Sequence, residues 1–133
     1  LDIIVKGIKM KKVIFVDDSK TILFSIEIAV EDMIDEGLIE VEYFDNPLNA
    51  LDSIEKGLKP DLIFTDINMP EMTGFELIKK VRETGEDCPI IALTTEKTKE
   101  QKLLGKEAGM NAWLIKPFTD DKITSMITRV FKF

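Results

Sequence analysis

The 133-residue chain contains no histidine. That absence excludes Ser-His-Asp and Cys-His nucleophilic catalysis and any zinc site built on imidazole. The single cysteine, Cys88, rules out an internal disulfide. Beside Pro89 and an apolar run it reads as a small buried apolar residue, not a reactive thiol. No apolar run approaches the ~20 residues of a membrane-spanning helix. Positive charge is scarce as well: 18 Lys and Arg face 25 Asp and Glu, a formal net charge of -7. Surfaces that bind nucleic acid are normally basic, so the charge argues against that class. There is no internal repeat, low-complexity tract or linker. What remains is 44% hydrophobic and 32% charged, an ordinary globular composition in a length suited to one domain.

Leu1 is not an initiating residue, and Met10-Lys11-Lys12 before an apolar run looks like a natural start. Residues 1–9 are therefore read as an N-terminal extension and 10–133 as the domain. The extension lacks the cleavage-site pattern of a signal peptide. With one cysteine and no export signal, the expectation is a cytoplasmic protein.

The pattern alternates strand and helix five times. Val13 to Val16 is a continuous apolar run, read as a central strand. Ser19 caps a helix from Lys20 to Glu36, with apolar residues spaced by three and four and Gly37 closing it. Glu40 to Phe44 is a more polar strand, suited to a sheet edge. Asn46-Pro47 starts a second helix, a capping side chain followed by proline at the first helical position. Leu62 to Thr65 is a buried strand, and Gly74 opens a third helix. Pro89 to Leu93 is a fourth, fully apolar strand. A charged helix from about Thr98 to Ala108 stops at Gly109, and Ala112 to Ile115 is the fifth strand. Thr119 caps the last helix. Short apolar strands alternating with amphipathic helices predict an α/β fold. Its expected form is a five-stranded parallel sheet in the order 2-1-3-4-5, with helices on both faces.

The stretch Asp61 to Gly74 organises the rest. Its strand stops on Asp66, and Pro70 bars the strand from continuing. The first strand ends on Asp17 and Asp18, the fourth on Thr94, the fifth on Lys116. In a parallel sheet all of these lie on one edge, where open α/β sheets place their chemistry. Two carboxylates ~4 Å apart repel by about 4 kcal/mol at an effective dielectric near 20, so the cluster needs a cation or a proton. Hard oxygen ligands without nitrogen or sulfur point to magnesium, held by Asp17, Asp18 and Asp66. Asp66 would then attack a phosphoryl group as a carboxylate nucleophile, with Thr94 and Lys116 holding its oxygens.

Val16-Asp17-Asp18-Ser19, Asp66-Ile67-Asn68-Met69-Pro70, Gly74-Phe75-Glu76-Leu77, Thr94-Thr95-Glu96 and Lys116-Pro117-Phe118 come in order, each beside a strand end. Over Lys11 to Phe133 the chain resembles a response-regulator receiver domain, of the stand-alone chemotaxis (CheY-like) type. That resemblance implies a flavodoxin-like, CheY-like fold and an Asp66 phosphorylated by a histidine kinase or small phosphodonors. It implies that the Asn68 backbone carbonyl completes the magnesium shell and that Lys116-Pro117 is a candidate cis bond. Thr94 and Trp113 would form the switch. Asn68, Thr95 and Glu96 would tune the path of the attacking water. The output would be partner binding, such as to a flagellar motor switch protein, on the fourth predicted helix, fifth strand and fifth predicted helix. The implied protein is a monomer, and not an enzyme beyond self-phosphorylation and autodephosphorylation.

Three positions depart from the family pattern. Trp113 stands where tyrosine or phenylalanine is commoner, Thr95 where alanine or glycine is usual, and Thr73 where aspartate is common. Blander readings stand beside the functional ones. Asp17-Asp18 can serve as a helix N-cap, Asn68 and Glu96 as solvated loop residues, and Trp113 as core. Lys97, Lys99, Lys102 and Lys106 form either a solvated helix face or a docking patch for an acidic partner. Met69, Met72 and Met110 read as packing. Two other functional readings compete with the stand-alone regulator. One is a receiver excised from a larger regulator; the absence of a domain after Phe133 favours a stand-alone protein. The other is a magnesium-dependent aspartyl-phosphate phosphatase, against which stands Asn68, which cannot act as a general acid.

Overall fold

The computed structural model describes residues 9–96 and 98–133. The expected extension, apart from Lys9, and the predicted patch residue Lys97 lie outside the described residues. The elements are β1 (Lys11–Val16), α1 (Lys20–Ala29), α2 (Glu31–Asp35), β2 (Ile39–Phe44), α3 (Pro47–Glu55) and β3 (Leu62–Asp66). They continue with α4 (Gly74–Glu83), β4 (Ile90–Thr94), α5 (Lys99–Ala108), β5 (Ala112–Ile115) and α6 (Asp120–Phe131). The five strands are all parallel, in the order β2-β1-β3-β4-β5, as the alternation predicts. The order is the one found in flavodoxin and CheY.

Successive strand residues face opposite sides of the sheet, and two cores result. Phe15 and Phe64, stacked 4.8 Å apart, pack on one side with Leu23 and Ile26 of α1 and Ile123 and Ile127 of α6. Ile14, Val16, Ile63 and Ile90 pack on the other with Ala50 and Ile54 of α3 and Leu77, Ile78 and Val81 of α4. Met69 and Met72 are buried in this second core and Met110 packs against it, so these three methionines are packing residues. Cys88 is buried, and burial with nearby Glu86 pushes its thiol pKa up to about 12.

The predicted caps form. Ser19 Oγ accepts from Ile22 N at 3.2 Å, Asn46 Oδ1 from Leu48 N at 2.8 Å, and Thr119 Oγ1 from Lys122 N at 3.3 Å. The helix expected over Lys20–Glu36 is two helices. Val30 leaves helical geometry at φ -100 and ψ 4, between α1 and α2. The bonds from Val30 N to Ile26 O and from Ile34 N to Val30 O run through the break. The apolar spacing therefore carries on across it, and the pattern alone shows one helix. The fourth and fifth predicted helices are thus α5 and α6.

At the amino edge of the sheet one side chain ties three segments together. Arg82, at the end of α4, donates to Gly109 O at 3.1 and 2.9 Å, to Glu86 O at 2.9 Å and to Asn111 Oδ1 at 2.9 Å. Asn111 Oδ1 also accepts from Ile90 N at 2.9 Å. Gly109 ends α5 at φ 114, a left-handed conformation that suits glycine. Among the described residues, no helix is long and apolar enough to cross a membrane.

Candidate functional site at the carboxyl edge of the sheet

Strand register brings the site together. Val16 pairs with Thr65, which places Asp17 level with Asp66 on the neighbouring strand. Asp66 pairs with Leu93, one residue short of Thr94, and Thr94 pairs with Ile115, one residue short of Lys116. The crossover order puts β1 and β3 side by side, so two acidic strand ends meet.

The local folding of each side chain is set by its strand end. Asp17 is fully buried. Its Oδ1 accepts from Ser19 N at 2.9 Å, which turns the chain into α1, and its Oδ2 accepts from Lys116 Nζ at 2.7 Å. Asp66 is 6% exposed. Its Oδ1 accepts from Ile67 N at 2.8 Å and lies 3.3 Å from Lys116 Nζ. Asp18 is exposed to solvent. Carboxylate oxygens of Asp17, Asp18 and Asp66 lie within 4.8 Å of one another.

The electrostatics are strained. Burial, and then the charge of Asp17, push the Asp66 pKa up to about 6, against the pull of Lys116 and the Ile67 N–H. For Lys116, burial acts to lower the pKa, but the hydrogen bond and charge of Asp17, then those of Asp66, raise it. One ammonium thus serves two buried carboxylates, with a third carboxylate at their rim. A further cation bound by oxygen ligands would relieve the excess negative charge. The three aspartates therefore fit a hard divalent ion such as magnesium.

Thr94 is buried, and its Oγ1 accepts from Glu96 N at 3.1 Å, closing the turn after β4. Thr95, Glu96 and Asn68 are exposed. Trp113 is not in the acidic cluster. It pairs with Ala92, two residues before Thr94 on the same face of the sheet, and is half-buried. Lys102 Nζ stands 4.7 Å from its ring centroid, a cation–π contact. Lys102 reads from sequence as a solvated helix residue; it is eleven positions away from Trp113, and no local spacing announces the contact. The Lys116-Pro117 bond is cis.

Gly74 has a second role that sequence reasoning missed. A Cβ there would collide with the Asp66 carbonyl oxygen and the Ile67 backbone, while Gly74 N donates to Ile67 O at 2.8 Å. The start of α4 is packed directly on the peptide that carries Asp66. Thr73, where the family pattern has aspartate, caps α4 in a reciprocal pair. Its Oγ1 accepts from Glu76 N at 3.1 Å, and its own N–H donates to Glu76 Oε1 at 3.2 Å. The loop geometry does not need the aspartate.

Comparison with known proteins agrees with this arrangement. Residues 13–128 match the family model described as the response regulator receiver domain. A chemotaxis protein CheY homolog of Campylobacter jejuni is 38% identical over 110 residues, covering 81% of this chain and 82% of that protein. Chemotaxis protein CheY-3 of Vibrio cholerae is 31% identical over 126 residues, covering 93% of this chain and 94% of that protein. The high-resolution structure of the chemotaxis response regulator CheY4 of Vibrio cholerae superposes with a TM-score of 0.82 at 38% identity, covering 92% of this chain and 99% of that one. Fold, acidic strand ends and matched residues agree, and this chain belongs to the response regulator receiver domain family, of the CheY type.

Proposed function

We propose that the protein is a phosphorylation-activated response regulator, of a chemotaxis pathway, whose phosphoryl acceptor is Asp66. The observation that carries the reading is the Asp66 carboxylate, buried at a strand end, 3.3 Å from Lys116 Nζ and grouped with Asp17 and Asp18. An Asp66 oxygen attacks the phosphorus of a phosphohistidine on a kinase. The P–N bond breaks as the P–O bond forms, and the electron pair stays on the imidazole nitrogen. Lys116, freed from part of its pairing with Asp17, holds one phosphoryl oxygen, and the Thr94 hydroxyl turns from Glu96 N–H toward another. Asp17, Asp18, Asp66 and the Asn68 backbone carbonyl would hold magnesium. Bound there, the ion supplies positive charge against the phosphoryl oxygens.

Thr94 reorientation removes a bond that closes the turn before α5. That change reaches Trp113 through the same face of the sheet and Lys102 of α5. The output is a shift between two states of the α5–β5–α6 face, read by a binding partner such as a motor switch protein. Asn68, Thr95 and Glu96 stand around the mouth of the site and tune hydrolysis. Beyond taking and losing its own phosphoryl group the protein carries out no turnover, and it acts in the cytoplasm.

Intact mass and Trp113 fluorescence, followed together on adding magnesium and then acetyl phosphate, test the reading. The expected result is one magnesium-dependent phosphoryl adduct with a fluorescence change, both lost in Asp66→Asn. An adduct that persists in Asp66→Asn, or none at all in the wild type, overturns the assignment.

A further inference from the structure

α1 carries apolar residues on two faces, where a surface helix normally carries one apolar stripe opposite a polar one. The inner face, Leu23 and Ile26, is buried in the core with Val30. The outer face carries Phe24 and Ile28 and, past the break, Ile34 on α2. These are 63%, 53% and 37% exposed. With Glu27, Glu31 and Asp35 they line a groove of about 300 Å³. The spacing is that of one continuous helix row, and the break at Val30 does not interrupt it.

Charge is just as uneven. Between Lys20 and Lys56 the chain holds ten carboxylates and no lysine, arginine or histidine. The lysines that reach this flank are taken: Lys12 pairs with Glu40 and Glu42, Lys20 with Asp45, and Lys56 with Asp52. Glu27, Glu31 and Asp35 form no ion pair among the described residues.

We propose that this groove docks a basic amphipathic helix of another protein. An amphipathic helix docks through apolar anchors of its own at i, i+3, i+4 and i+7, and the exposed row of Phe24, Ile28 and Ile34 offers those anchors an apolar strip to lie along. Phe24 to Ile34 spans roughly 15 Å at 1.5 Å per residue, which matches about three turns of a partner helix. The acidic rim selects the occupant. A second copy of the chain would bring the same acidic flank against itself, and an anionic lipid surface would be repelled. A helix with an apolar face bordered by Lys or Arg meets both the exposed apolar surface and the unpaired carboxylates. No residue of the groove belongs to α5, β5 or α6, so the docking surface is separate from the proposed output face.

The probe is a synthetic leucine–lysine helical peptide of about four turns, titrated into the full ¹⁵N-labelled chain. Two comparators share its design, one with glutamate for lysine and one with serine for leucine. The expected result is saturable shifts centred on residues 24–35, with both comparators at least roughly tenfold weaker. Phe24→Ser/Ile28→Ser should weaken binding by roughly tenfold or more with unchanged thermal stability, because both side chains already face water. Glu27→Gln/Glu31→Gln should weaken it and flatten its salt dependence. Shifts spread over the other acidic surfaces, or centred on β5 and α6, overturn the proposal. So does equal affinity in Phe24→Ser/Ile28→Ser. A dimer seen in sedimentation and lost in that variant would give the groove to a second copy and overturn it as well.

Discussion

At the amino edge of the sheet, Arg82 meets carbonyls and an amide oxygen that all want its protons, and Asn111 Oδ1 takes two donors at once. At the carboxyl edge, Asp17 and Asp66 share one ammonium, and burial, then the charge of Asp17, hold the Asp66 pKa at about 6 against the pull of Lys116. The first arrangement satisfies polar groups and locks the ends of α4 and α5 to the sheet. The second leaves surplus charge buried, and only a proton or a cation from outside relieves it. Within one fold, then, the polar edge that stabilises and the polar edge proposed to react are told apart by whether their charges close.

Breaking the closed edge should have the largest effect. Arg82→Ala strips the partner from Gly109 O and Glu86 O and one donor from Asn111. We expect a loss of about 3 kcal/mol, since hydrogen bonds from a charged donor contribute about 1.5–3 kcal/mol and lose further when partners stay unpaired. Differential scanning calorimetry should show the melting temperature lowered by roughly 10 °C.

Relieving the open edge should act in the other direction. Magnesium at ~100 times its dissociation constant should stabilise the wild type by about 2.7 kcal/mol. The same addition to Asp66→Asn or Asp18→Asn should give a clearly smaller rise in melting temperature. Without metal, Asp66→Asn should itself stabilise the fold above pH 6. The sign comes from linkage. The folded pKa of Asp66 is raised from 3.8 to about 6, so its ionised form costs stability. That cost is absent below about pH 4, grows from pH 4 to 6, and is complete above. The gain at pH 8 is at most about 3 kcal/mol and should vanish at pH 3.5, as urea titrations at the two pH values would record. If the gain were equal at both, the ionised, buried Asp66 carboxylate would not be its cause.

The smallest effect sharpens the comparison from the loop between the edges. Thr73→Ala removes the reciprocal cap of α4 and should cost about 1 kcal/mol, while Thr73→Asp should restore it. Rates of acetyl-phosphate labelling in the two variants would then separate helix capping from any direct part of this position in the reaction.

The carboxyl edge was legible in the sequence because four of the strands are short apolar runs that stop on a charged or hydroxyl side chain. Asp17, Asp66, Thr94 and Lys116 are the residues at the carboxyl ends of four such runs, and the parallel order does the rest. The closed edge was invisible. Arg82 reaches residues 27 and 29 positions away, and nothing in a window of local sequence distinguishes it from other helix-end arginines. The break at Val30 was hidden for a different reason: the hydrogen bonds cross it and the apolar spacing is undisturbed. Gly74 reads only as a helix start, because its close approach to the Asp66 carbonyl depends on how α4 returns to the sheet. The output face was reached through the family resemblance and not through residue spacing. Trp113 shows why, since its neighbour Lys102 belongs to another element.

The bridging position of Lys116 gives the acidic cluster a resident competitor. Its ammonium is tethered 2.7 Å from Asp17 and 3.3 Å from Asp66, so an arriving ion would not enter a vacant cage but would displace a cation that never diffuses away. A tether of this kind corresponds to a local concentration on the millimolar scale or above. Occupancy would then answer to the ratio of free ion to that built-in rival, and the apparent affinity would be held down without any ligand being removed. On the proposed reading the protein would idle on its own charge and change over only where the divalent ion is abundant.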